Sequence, residues 1–163
     1  MVPTILEMKL KIVYLADHKE QLSKVAEWYF DEWGHFLEDP LTNIFVTRLE
    51  SCLNKTKFPL VIIAMEGDKL IGAAQIKLNQ MSIYPNKEHW LAGVYVEPKH
   101  RGNNVAALLI EKIQEIAIAL GVEVLHLQTE HLSGGLYSKL GWQPDELVNF
   151  RSTDVMVMSK NLG

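Results

Sequence analysis

The stretch EPKHRGNNVAALLIEKI, residues 97–113, decides the fold. An apolar run from Trp90 to Val96 enters it through Pro98. A short basic turn containing Gly102 follows, and then a long segment with helical spacing begins. Strand, turn and helix in that order place unpaired peptide N–H groups at a helix N-terminus, where the macrodipole adds partial positive charge and anions sit well. Gly102 can take a positive φ and let the backbone approach a ligand closely, and Arg101 adds a cation. Asn103 and Asn104 stand where a second glycine would be expected. No Gly-Lys-Ser/Thr follows, so the turn is no P-loop, and the G-x-G-x-x-G of a dinucleotide site is absent. Taken alone, the stretch reads equally well as an ordinary strand-to-helix connection.

The neighbouring segments extend this reading in both directions. A helix is predicted from Asn103 to Leu120, with Leu109, Ile113, Ile116 and Leu120 on one face and Gly121 as the stop. The strand VEVLHLQT comes next, which predicts a parallel β-α-β crossover. Upstream, PLVIIAM and LIGAAQIKL flank Glu66-Gly67-Asp68-Lys69, a hairpin signal, and Met81 to Glu88 reads as polar loop. Nearer the N-terminus, Leu10 to Leu15 is β-prone. Asp17, with Glu20 three residues on, resembles a capping box before a helix carrying Leu22, Val25, Tyr29 and Trp33. A second helix is predicted after Asp39-Pro40, with Leu41, Phe45, Leu49 and Leu53 on its apolar face. Downstream, a short helix spans Ser133 to Leu140, and strands are expected near Gln143–Val148 and Asp154–Ser159. The expectation is an α/β chain with a mixed sheet flanked by helices, in a single domain over residues 1–163.

Composition narrows the function classes. The chain has 163 residues, 48% hydrophobic and 22% charged, with a net charge of −4. No global positive field recruits nucleic acid or an anionic membrane, so neither is expected as a partner. Cys52 stands alone, which excludes an intramolecular disulfide and a cysteine-rich zinc site and makes a reducing, cytoplasmic setting the expectation. The opening residues lack a signal-peptide pattern, and no apolar run reaches the length of a membrane span.

Two blocks of residues then carry a family resemblance. Val96-Glu97-Pro98-Lys99-His100-Arg101-Gly102 is followed by a stretch, Arg101 to Ala106, similar to Gln/Arg-x-x-Gly-x-Gly/Ala except at Asn104. GGLYSKLGW, residues 134–142, is similar to A-x-x-x-Tyr-x-Lys-x-Gly-Phe. Both resemble the GNAT superfamily of acetyl-CoA-dependent N-acetyltransferases. The resemblance is specific over about 60–142 and generic before that. It implies a splayed sheet and acetyl-CoA as cosubstrate, with no metal. Backbone groups of Val94, Tyr95 and Val96 would bind the pantetheine arm and acetyl carbonyl. Amides around Arg101, Gly102, Asn103, Asn104, Val105 and Ala106 would hold the pyrophosphate. Gly93, inside the preceding strand, is the kind of residue that marks a bulge.

The resemblance further implies direct attack of a primary amine on the thioester in a ternary complex, with Tyr137 as general acid to the departing thiolate. The packing alternative for Tyr137 is a side chain on an amphipathic helix. Glu97, Glu130 and His131 follow strands near the expected cleft and are candidates for the base, or else solvated loop residues. Trp33, His35 and Phe36 are candidates for the acceptor site, with Asp31, Glu32, Glu38 and Asp39 near enough in sequence to attract a cationic amine. The acceptor is a small-molecule amine or a peptide or protein amine, and the chain acts as a monomer or homodimer. His126 and His131 fall on opposite faces of an extended strand and are read as non-metal. Cys52 is expected in the core. A CoA-binding regulatory module without turnover is the competing reading, and an interaction domain without cofactor is a third.

Overall fold

The computed structural model describes residues 10–37 and 43–163. The elements run β1 Leu10–Tyr14, α1 Leu22–Trp33, α2 Ile44–Glu50, β2 Leu60–Glu66, β3 Lys69–Leu78, β4 His89–Val96, α3 Val105–Ala119, β5 Val124–Thr129, α4 Gly135–Lys139, β6 Gln143–Phe150 and β7 Thr153–Asn161. All seven strands join one sheet in the order β1-β2-β3-β4-β5-β7-β6.

The continuous apolar run of β2 is explained by burial on both faces. Leu60, Ile62 and Ala64 pack against Leu109, Ile110 and Ile113 of α3. The alternate residues Val61, Ile63 and Met65 pack on the other side with Val25 and Tyr29 of α1 and Phe45 and Leu49 of α2. The period-2 alternation of a strand thus feeds two cores from one segment. Gly67, at φ +61, lets a two-residue turn close the β2–β3 hairpin.

The sheet opens in its middle. β4 and β5 run parallel and meet at one register pair, Trp90 with His126. On the other side of β4 the ladder skips: Ala73 pairs with Tyr95, but Gln75 pairs with Ala92, so the chain bulges at Gly93-Val94. The C-terminal strand β7 lies between β5 and β6 within this sheet.

Several boundaries differ from those the sequence predicts. Leu15–Asp17 and Lys19–Gln21 form separate 3-10 turns, and α1 begins only at Leu22. Asp17 does not cap it, because its carboxylate is taken by Lys55 at 2.9 Å. The second helix ends at Glu50, so Leu53 lies beyond it, though it still packs against the α1–α2 core. Pro40 and Leu41 fall outside the described residues. The long helix begins at Val105 rather than Asn103, because Asn104 is left-handed, with φ 67 and ψ 12.

Candidate active site

Where β4 and β5 part, a cleft of about 410 Å³ opens, within the size range of small-molecule sites. Its floor is sheet: Gln75 and Lys77 from β3, Leu91 to Val94 from β4, and Gln128 and Thr129 from β5. Tyr29, Glu32 and Trp33 of α1 and Phe45 and Arg48 of α2 form one wall. Glu130, His131, Tyr137 and the β6–β7 hairpin around Arg151 form the other.

The bulge is built from both sides. Gly93 has φ +60, and a Cβ there would stand 2.6 Å from Gln75 Nε2 and 2.7 Å from the Tyr29 hydroxyl. Tyr29 is buried, which pushes its pKa up and keeps the phenol a donor. It donates to the Gly93 carbonyl at 2.7 Å. The bulge interrupts the β3–β4 ladder beside the point where β4 leaves β5, so this stretch of β4 is an exposed strand edge.

Beyond β4 the chain makes a turn rich in free donors. Gly102 (φ +83) and Asn104 (φ +67) are both left-handed, and a Cβ on Gly102 would meet nothing within 4 Å. Among the described residues, no acceptor takes the amides of Gly102, Asn103 or Asn104. Val105 and Ala106 follow as the first residues of α3, whose amides have no intrahelical partner. The five amides gather at an exposed turn and a helix N-terminus, the kind of donor-rich site that suits an anion. Arg101 does not point its Nε into it. That atom donates to the Val96 carbonyl at 2.8 Å, with the guanidinium 5.3 Å from the Tyr95 ring centroid. Tyr95 itself packs on Trp28 at 4.9 Å, leaving its backbone rather than its ring for a ligand.

Tyr137 reaches the cleft from α4, its ring edge-on to buried Trp142 at 6.2 Å. Burial pushes the phenol up to about 12, so it is protonated throughout the neutral range. Thr129 Oγ1 accepts from the His131 amide at 3.1 Å and turns the chain after β5, which sets Glu130 and His131 at the cleft edge.

Glu97 is placed elsewhere. Its carboxylate lies 3.3 Å from Lys69 and 3.5 Å from His100, at the hairpin side of the turn, and it does not line the cleft. Trp33 lines the cleft. His35 is exposed in the 3-10 turn after α1 and is not among the cleft residues, and Asp31 is exposed on α1. The Phe36 side chain, Glu38 and Asp39 fall outside the described residues. His126 is buried against Trp90 at 5.5 Å and borders a separate depression with Tyr84 and His89. Among the described residues, no cluster of three His, Cys, Asp or Glu side chains could hold a metal. Cys52 is buried in the α1–α2 core.

Sequence reasoning passed over Arg48, Gln75, Lys77 and Gln80. A signal was present: Gln75 and Lys77 are polar residues two apart after the apolar run Leu70 to Ala74, and so share one face.

The sequence model of the acetyltransferase (GNAT) family matches residues 22–142, most of the chain and all of the cleft's helices and central strands. The chain belongs to the acetyltransferase (GNAT) family. No curated protein matches it by sequence. Solved structures share the GNAT fold. The protein yncA from Salmonella typhimurium, with its cofactor acetyl-CoA, is 17% identical at TM-score 0.73 and covers 95% of each chain. An aminoglycoside 6'-N-acetyltransferase complexed with coenzyme A is 18% identical at TM-score 0.70, covering 93% of this chain and 97% of that one. The spermidine N-acetyltransferase from Vibrio cholerae is 17% identical at TM-score 0.68 and covers 95% of each.

Proposed function

We propose that this chain is an N-acetyltransferase that transfers an acetyl group from acetyl-CoA to the primary amine of a small molecule within a ternary complex. The observation that carries the reading is the parting of β4 from β5 at Trp90–His126, directly beside the bulge at Gly93. It leaves a strand edge between a donor-rich turn and the Tyr137 phenol.

The residues fit the cosubstrate. The amides of Gly102 to Ala106 would hold a pyrophosphate, and backbone groups of Val94 and Val96 would pair with an amide-bearing arm as an added strand does. When bound, acetyl-CoA supplies a thioester carbonyl for the amine to attack directly, with the thiolate as leaving group. A backbone N–H on the bulged strand is the natural oxyanion donor. Tyr137, held protonated, is the acid for the thiolate. Glu130 or His131, at the cleft edge, takes the amine proton directly or through water. Glu97, engaged by Lys69 and His100, has no part in this. Trp33 walls the acceptor side. The aminoglycoside and spermidine enzymes among the structural relatives support a small-molecule acceptor. Among the described residues no helix is long and apolar enough to cross a membrane, and we place the activity in the cytoplasm.

The test is calorimetric titration with acetyl-CoA, followed by free-thiol release over a panel of amines. The reading expects both binding and amine-dependent release. No binding would overturn it, and binding without release on any amine would favour a regulatory CoA-binding module.

A further inference from the structure

Lys77 is the unusual charge of the cleft. Lys24, Lys55, Lys69 and Lys112 each pair with a carboxylate. Lys77, half-buried on the sheet floor, pairs with none among the described residues. Its charged neighbour is another cation, Arg48 of α2, and Arg48 is likewise unpaired among the described residues. Burial and Arg48 both disfavour the ammonium and lower its pKa. An apolar side chain of the same length would fill this position without that penalty. Close by, Gln80 Oε1 is buried without a partner and also lines the cleft. A half-buried cation without a carboxylate and a buried acceptor without a partner, on residues lining one cavity, are groups that a polar ligand completes.

Charge differs between the walls of the cleft and its floor. The carboxylates, Glu32 and Glu130, are exposed at its edges, and Glu130 stands on the Tyr137 side where the amine must react. The cations are Lys77 on the floor, Arg48 on the α2 wall and Arg151 on the hairpin opposite, so each wall carries both signs while the floor carries Lys77 alone. Between them are apolar surfaces of Trp33 and Phe45.

We infer that the acceptor is an amine that also bears a carboxylate, an apolar amino acid in type, whose anionic group pairs with Lys77 on the cleft floor with Arg48 beside it. This deepens the acetyltransferase reading and rests on it. A single carboxylate neutralises the single half-buried ammonium, while Arg48, exposed at the wall, adds a screened attraction. Polyamines and aminoglycosides, which bring only positive charge, meet Lys77 and Arg48 as repulsion.

The experiment compares each amino acid with its decarboxylated amine: L-leucine with 3-methylbutylamine, and L-phenylalanine with 2-phenylethylamine. Binding to the CoA-loaded protein is measured by calorimetry. Acetylation rates are measured separately and corrected for the unprotonated fraction of each amine. The amino acids should bind about tenfold more tightly or better, the scale of one charge-assisted bond. Lys77→Met should bring each ratio close to one, and Arg48→Met should lower it less. Lys77→Gln serves as a second variant, and thermal melts of both confirm folding. Equal or weaker binding of the amino acids would overturn the inference, as would a preference that survives in both Lys77 variants. A protein that acetylates the plain amines without preference keeps the acetyltransferase reading and discards this one. Lys77-dependent amino-acid binding without thiol release does the reverse.

Discussion

The Tyr29 hydroxyl donates to the Gly93 carbonyl at 2.7 Å, fastening the first helix to the bulge of the fourth strand. The bond joins residues 64 apart in sequence and holds the strand edge that the proposed cosubstrate arm would use. Tyr29→Phe leaves that carbonyl without its partner and should lower stability by about 1 kcal/mol, read by chemical denaturation. Gly93→Ala adds a Cβ within 3 Å of Gln75 Nε2 and the Tyr29 ring at a left-handed φ. It should cost about 2 kcal/mol or more and weaken acetyl-CoA binding further than Tyr29→Phe does. Equal affinity in Gly93→Ala and the parent would show that the bulge does not shape the site.

Much of this arrangement is legible in the sequence because its causes are local. The run Leu60 to Met65, the Gly67-Asp68 turn and the face of Leu109, Ile113 and Ile116 each report their own structure. The start of α3 is less legible: the predicted start at Asn103 gives way because Asn104 is left-handed, at φ 67. What escaped depends on distant partners. Asp17 looks like a cap until Lys55, far along the chain, takes its carboxylate. Glu97 and Glu130 both follow strands, and only the topology separates them, putting one against Lys69 and the other at the cleft. Lys77 becomes a cleft residue only once helices and strands distant in sequence assemble around it.

Asn104 adopts a backbone that glycine prefers, and its carbonyl accepts the first bond of α3 from Leu108 at 3.1 Å. The side chain makes no capping bond. Asn104→Gly should therefore keep stability and bind CoA at least as tightly. Asn104→Ala forces a Cβ residue without a polar side chain into the left-handed region and should lose about 1 kcal/mol, together with CoA affinity. Thermal melts and titration of both variants check the ranking. A clear loss of affinity in Asn104→Gly would instead mark the asparagine amide as a ligand contact.

The two carboxylates separate by position. Glu97→Gln removes charge from contacts with Lys69 and His100 that lie away from the cleft. It should leave kcat within about twofold. Glu130→Gln removes a candidate proton acceptor at the cleft edge, and should depress kcat/KM most for acceptors whose amines are most basic, since these depend most on help with the proton. Steady-state kinetics over amines of graded pKa test both, and a larger effect from Glu97→Gln would reverse the assignment.

Tyr137 carries the clearest chemical prediction. Burial raises its phenol from 10 to about 12, so the proton needed by the thiolate is in place across the working range. Tyr137→Phe keeps the ring against Trp142 and removes only the hydroxyl. It should lower kcat by about a hundredfold while changing acetyl-CoA affinity little. Unchanged kcat would remove Tyr137 as the acid. The same shift fixes a sign for stability. Because the folded-state pKa lies above the unfolded value, the neutral phenol's contribution is complete below about pH 10 and is lost as pH rises through about 12. Melting temperatures of the parent should therefore fall more steeply than those of Tyr137→Phe across that window and coincide in slope below it, since the phenylalanine has no proton to lose.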